Sequence, residues 1–136
     1  MPYSGGHVGE GIYFASQFVK SIMYVRPYHG MFEREDMIGF LFLVEVALGN
    51  EFYLTEHCSH ISKAPDGYDS IVAKGRKESD PKRYMKMNFE GKEVVVPLGK
   101  PLNQKRWSHS VFEYNEYIIY KESQARIRYM VKFSFS

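Results

Sequence analysis

The chain has 136 residues, 44% of them hydrophobic, a net charge of +2 and one cysteine. That length buries a single core and no composition shift marks a second, so one domain, or part of one, is expected, and the mild, scattered basic charge argues against direct nucleic-acid contact. Cys58 alone excludes an internal disulfide framework and fits a reducing compartment, cytosol or nucleus, while the longest apolar run, Ile38 to Leu48, is too short for a membrane span and is broken by Glu45.

The N-terminus lacks the basic-then-apolar order of a signal peptide, and Pro2 to Gly6 reads as a loop, so either the fold is small or its front is missing. Gly11 to Ala15 follows as a short strand-like run. Ser16 is the predicted N-cap of a helix through about Tyr24, with Phe18 and Ile22 spaced to form a buried stripe and Pro27 and Gly30 to end it. Gly39 to Leu48 is nearly continuously apolar, the pattern of a central strand covered on both faces, and Gly49, Asn50 turn the chain into a second strand at Phe52 and Leu54. His57 to Tyr68 has loop composition and is a candidate functional loop.

Ser70 to Ala73 reads as a short strand and Gly75 to Arg83 as a charged surface connection. Met87, Phe89, Glu90, Gly91 and Val94 to Val96 read as a hairpin, and Gly99 to Ser110 as a polar link. Two long strands close the chain, Phe112 to Tyr120 and Ile127 to Phe135. In the second, Ile127, Tyr129, Val131, Phe133 and Phe135 alternate with Arg126, Arg128, Lys132 and Ser134, leaving one wet face. No internal repeat occurs, and the whole is predicted to be α+β and β-rich, with one short helix after the first strand.

The alternation of Tyr114, Asn115, Glu116, Tyr117, Ile118, Ile119, Tyr120 sets a lone carboxylate, Glu116, on the face shared by Tyr114 and Ile118. Charges on apolar strand faces are paired or working, which makes Glu116 the leading candidate for a catalytic group. From the alternation alone it reads equally as an edge-strand acid paired with a surface lysine.

Five ordered motifs span nearly the whole chain: Gly-x-Gly-Ile-Tyr-Phe-Ala at Gly9 to Ala15, Lys-Ser-x-x-Tyr at Lys20 to Tyr24, Glu-Val-Ala-Leu-Gly at Glu45 to Gly49, Ser-His-Ile-Ser-Lys at Ser59 to Lys63, and Tyr-Asn-Glu-Tyr-Ile at Tyr114 to Ile118. In this order they resemble the catalytic domain of the poly(ADP-ribose) polymerases. Ser4, Gly5, Gly6, the run Gly67 to Ser70, and Glu122, Ser123, Gln124 look most like the DNA-break-responsive branch whose members mainly add single ADP-ribose units. The resemblance implies a split β-sheet ADP-ribosyltransferase fold, NAD as substrate, protein acceptors, a nuclear location, and no metal or membrane.

It also implies the site residues. Tyr13 and Tyr24 would stack on nicotinamide, a gain of roughly 0.5–1.5 kcal/mol per pair beyond burial. Ser21 would donate to the carboxamide, Glu116 would stabilise the oxocarbenium-like transition state and grip the nicotinamide ribose, and Lys20 would stand on the acceptor side. The family's His-Gly pair on an upstream strand has no counterpart here, since His29, Gly30 falls after Tyr24 and His7 lies inside the Gly-rich turn. Residues 1–136 are therefore expected to be the C-terminal part of such a domain, without the first strands or the helical regulatory subdomain, and weak or inactive alone. The alternatives are a non-catalytic module binding a nicotinamide-like ring or a partner, and an NAD glycohydrolase.

Without the motifs, Tyr13 and Tyr24 read as core aromatics and Ser21 as a solvated helix residue. His57, Cys58 and His60 are too cramped, with no partner cluster, for a structural zinc. Gly5, Gly6, Gly9 and Gly11 lack the preceding strand and long following helix of a phosphate loop, and are expected to form part of a flexible lid beside the pocket.

Overall fold

The computed structural model describes residues 6–25 and 37–135. In chain order the elements are β1 (Ile12–Phe14), α1 (Phe18–Ile22), β2 (Met37–Val46), β3 (Glu51–Leu54), β4 (Ser70–Ala73), β5 (Lys77–Ser79), β6 (Met85–Phe89), β7 (Lys92–Val96), β8 (Pro101–Asn103), β9 (Glu116–Ile119) and β10 (Ala125–Phe135). Short 3-10 turns at Pro81–Arg83, Lys105–Trp107 and Glu122–Gln124 join them. The protein is α+β and β-rich, with a short helix directly after β1.

The centre is a four-stranded sheet in the order β1-β9-β4-β3, antiparallel except for the β3–β4 pair. Its middle is built from the shortest apolar runs. Ile71, Val72, Ala73, Ile118 and Ile119 are completely buried, because β-branched side chains on both faces of β4 and β9 meet neighbours above and below. Register puts Tyr13, Ile118, Ile71 and Phe52 on one face, with Glu116, Ala73 and Leu54 a step along. Val8 and Phe112 complete that core, with Ile61 and Tyr120 packed around it. Phe14, Tyr117, Val72 and Tyr53 form the opposite face.

The long apolar run expected to be central is not. Among the described residues β2 pairs only with β10, in an antiparallel two-stranded ribbon, and Phe40, Phe42 and Leu43 are about half exposed. A continuous apolar stretch cannot by itself distinguish a sheet centre from a ribbon, since both accept β-branched and aromatic residues. The alternation expected along β10 is also interrupted. Ile127 faces Val44 and Tyr129 faces Leu43, so Arg128 is an extra, bulged residue. The bulge moves Ile127 to the face of Met130 and Lys132, away from Tyr129, Val131 and Phe133. It also aims the Arg128 guanidinium at Glu45, with Nε donating to Oε2 at 2.7 Å.

Smaller departures share one cause, the satisfaction of buried polar groups. Gln17, not Ser16, is the N-cap of α1, and the helix stops at Ile22. No residue of α1 is buried, and Phe18, 58% exposed, meets the Phe133 ring edge to face, so the expected buried stripe is absent. Pro27 and Gly30 lie outside the described residues. The expected surface connection at Gly75 to Arg83 contains β5, whose Glu78 and Ser79 are buried, and the polar link at Gly99 to Ser110 supplies its partner strand β8. The strand expected over Phe112 to Tyr120 is ordered as β9 only from Glu116, with Tyr114 making an isolated bridge to Lys77. The hairpin forms as expected from β6 and β7, turning through Glu90 and Gly91, both at positive φ.

Candidate active site

Glu116 opens β9, and the residues before it fix where it points. Asn115 Oδ1 accepts from the Gly75 amide at 2.7 Å, and its Nδ2 donates to the Tyr117 hydroxyl at 3.1 Å. The close approach needs glycine at 75, since a Cβ there would stand 2.4 Å from the Tyr114 carbonyl carbon. Held in this way, Glu116 is buried to 5% exposure on the core face, and its Oε1 accepts from the Lys20 ammonium. The two side chains are 7% and 14% exposed, so the pair is largely shielded from water. Removing one partner of a shielded pair leaves the other charge buried and uncompensated.

Tyr13 lies beside this pair, two residues along the same sheet face in the neighbouring strand. Its hydroxyl donates to the Gly9 carbonyl at 2.5 Å. Burial holds its phenol above the ordinary value, and the nearby Glu116 charge and Tyr24 raise it further against opposing backbone hydrogen bonds. The phenol therefore stays protonated and donating. Tyr24, by contrast, is 73% exposed, at the turn just past α1 where its amide donates to the Ser21 carbonyl. Ser21 is half-buried, and among the described residues its hydroxyl has no hydrogen-bond partner. Thus Tyr13, Lys20 and Glu116 are drawn together, Tyr24 is near enough to act on the Tyr13 hydroxyl, and Ser21 sits on the helix between them.

The Gly-rich turn is tied down rather than free. Gly6 and Gly9 exchange two backbone hydrogen bonds of 3.0 Å, the Glu10 amide donates to the Ile61 carbonyl, and the Cys58 amide to the His7 carbonyl. Gly9 sits at φ +79°, and a Cβ there would meet the Ile61 carbonyl oxygen at 2.0 Å. The backbone of Gly6 closes over the Tyr13 ring, 2.6 Å from where its own Cβ would be. These contacts join the turn to the loop at 57–62; Gly5 falls outside the described residues.

Cys58 Sγ lies 3.6 Å from His60 Nε2, while His57 instead packs on the rings of His7 and Phe112. Among the described residues no three His, Cys, Asp or Glu side chains converge as metal ligands. A cavity of about 590 Å³ is on the sheet face opposite Glu116, lined by residues that include Phe14, Val46, Lys74, Glu78, Trp107 and Tyr117. Burial holds Lys74 below its usual range, against the opposing pull of the Glu51 and Glu78 charges, while its ammonium rests 4.0 Å above the Tyr53 ring.

Residues 1–135 match the family described as the poly(ADP-ribose) polymerase catalytic domain. The chain belongs to that family. Its poly(ADP-ribose) polymerase relatives include protein mono-ADP-ribosyltransferase PARP3 of Mus musculus, 43% identical over 97% of this chain and 24% of that protein. The Gallus gallus PARP3 is 44% identical over 99% of this chain and 24% of that protein, and poly [ADP-ribose] polymerase 1 of Danio rerio is 37% identical over 99% of this chain and 12% of that protein. The chain thus spans about a quarter or less of the relatives it matches. Motif order had placed it in the polymerase family. Reading motifs did not reveal the polar cluster behind the site: Glu78 fell in an expected charged surface connection, Gln17 was given no role, Ser16 was read as a helix cap, and Tyr117 entered only as a member of the Glu116 motif.

Proposed function

We propose that the chain is the C-terminal part of an ADP-ribosyltransferase domain that transfers ADP-ribose from NAD to protein side chains and releases nicotinamide. What carries the reading is a shielded carboxylate, Glu116, held by Lys20 beside Tyr13 in a chain of this family. In the reaction the bond between the ribose anomeric carbon and the pyridinium nitrogen breaks, and its electron pair leaves with neutral nicotinamide. An acceptor oxygen then bonds to that carbon and gives up its proton. Positive charge spreads over the ribose between those events, and a fixed anion in a water-poor site stabilises it more than bulk water would.

The other residues take roles around that step. Tyr13 and Tyr24 offer aromatic faces to the leaving ring, and the uncommitted Ser21 hydroxyl can donate to its carboxamide oxygen. Lys20 pairs with Glu116 and faces the acceptor side. The similarity to the PARP3 proteins, which are named protein mono-ADP-ribosyltransferases, supports transfer of single units to protein acceptors; the motif resemblance adds a nuclear location to the proposal. No described helix is long and apolar enough to cross a membrane.

Incubation with NAD labelled in its ADP-ribose portion tests the reading. Label bound to protein supports transfer; free ADP-ribose alone indicates a glycohydrolase, and no consumption a binding module. A second test isolates the ring site. Tyr24→Ala, at an exposed position the fold can spare, should weaken nicotinamide binding by about 0.5–1.5 kcal/mol, roughly two- to tenfold by calorimetric titration. Unchanged affinity would remove Tyr24 from the pocket.

A further inference from the structure

The helix that carries Lys20 and Ser21 has five residues and buries none of them, so packing does not hold it in place. A helix this short is marginal without tertiary anchors. Its anchor is a buried carboxylate on the far side of the sheet from Glu116. Glu78, 6% exposed, receives the Ser16 hydroxyl at 2.7 Å on Oε2 and 2.9 Å on Oε1, the Gln17 side-chain amide at 3.2 Å, and the Ser79 backbone amide at 2.8 Å. The Tyr117 hydroxyl stands 3.5 Å off, and burial, reinforced by the Glu78 charge, raises its pKa and keeps it a donor.

No hydrogen-bonded cation joins Glu78 among the described residues; the Lys74 charge acts on it only from a distance, so neutral donors supply its hydrogen bonds. A buried anion tolerates that only when most of its lone pairs are filled, which makes the arrangement geometrically demanding. The donors come from two places that the site must keep in register. Ser16 and Gln17 are residues of the link between β1 and α1, and the Gln17 side-chain amide donates to Glu78 and Ser79 while making no side-chain bond to the helix amides. Tyr117 adjoins Glu116 in β9 and points to the opposite face.

We propose that Glu78 is a positioning residue for the transferase site: it clamps the start of α1 against the back of β9, and so sets Lys20 against Glu116 and Ser21 beside the nicotinamide pocket. The inference rests on the functional reading above for what the pocket holds, but not for the clamp itself. Glu78→Gln keeps the shape and places a donating amide where donors already converge. Ser16→Ala removes the shortest contact to the anion.

Lysine acylation reads the clamp without any ligand. The chain and both variants are treated with the N-hydroxysuccinimide ester of acetic acid, and Lys20 acylation is measured by peptide mass spectrometry against exposed Lys86. Paired and 14% exposed, Lys20 should react slowly in the parent chain, and about tenfold faster in each variant, the effect of losing one hydrogen bond to a charged group. Amide exchange of Ile71 and Val72 should stay unchanged. An unchanged Lys20 rate, or a rise matched by faster exchange in β4, overturns the proposal; should Glu78→Gln not fold, Ser16→Ala decides. Nicotinamide titrated into the same samples separates the two readings. Affinity that falls several-fold with the clamp supports both, whereas a parent chain that binds no nicotinamide but shows the Lys20 response upholds the clamp and overturns the pocket's ligand.

Discussion

Glu116→Gln is expected to lower NAD turnover by about 10²–10³-fold while leaving nicotinamide affinity within about twofold. The exchange keeps the volume and one acceptor for the Lys20 ammonium, but removes the negative charge that opposes the cation developing on the ribose. On the proposed reading the leaving ring is held by stacking and a hydroxyl rather than by that charge, so binding and chemistry should separate. Initial rates of nicotinamide release, set beside a binding isotherm and a thermal melt of each protein, check this. Because Lys20 is then left largely shielded without a counter-charge, some loss of melting temperature is expected, and it must be small enough that the variant remains folded at the assay temperature. Turnover unchanged in a folded variant would falsify the role given to Glu116.

Ile118→Ala should be the most destabilising single change in the central sheet, costing about 2–5 kcal/mol. Ile118 is wholly buried, lies between Tyr13 of β1 and Ile71 of β4 in the register, and belongs to the core beneath the site. Gly11 leaves no slack there, since a Cβ at that position would come within 2.4 Å of the Ile118 side chain. The cavity left by truncation therefore has rigid backbone on one side. A drop of roughly 10 °C in melting temperature is expected, and Ile127→Ala, on the exposed ribbon, should shift it by a degree or two. Equal shifts would mean that the ribbon, not the four-stranded sheet, carries the core.

The sequence was most legible where residue identity carries chemistry. The order of Tyr13, Lys20, Ser21, Tyr24 and Glu116 could be read because each motif pairs a rare residue type with a fixed spacing. It was least legible where a strand's place in the sheet depends on partners distant in the chain. Ser70 to Ala73 has only four residues and yet lies between β9 and β3 with every residue buried, while the ten of Met37–Val46 form an edge ribbon. Nothing local separates the two, because burial is decided by what packs on top. Glu78 was hidden for a related reason. An acid between Lys77 and Asp80 reads as solvated charge, and only the fold brings Ser16 and Gln17, about sixty residues earlier, against it. Ser16 was assigned to the wrong duty because a hydroxyl before a helix is ordinarily spent on the helix's own amides.

The extra residue at 128 has a bearing on how insertions and deletions would be tolerated along β10. Excising it would leave Ile127 opposite Val44 and Tyr129 opposite Leu43, as they already are, and forfeit the guanidinium's contacts with Glu45, Glu90 and the Phe89 ring. Excising Val131 instead would slide every later residue by one and turn each side chain over to the wrong surface. A gap in this strand between homologous chains should therefore fall at position 128, the one place where chain length can change without rewriting the ladder.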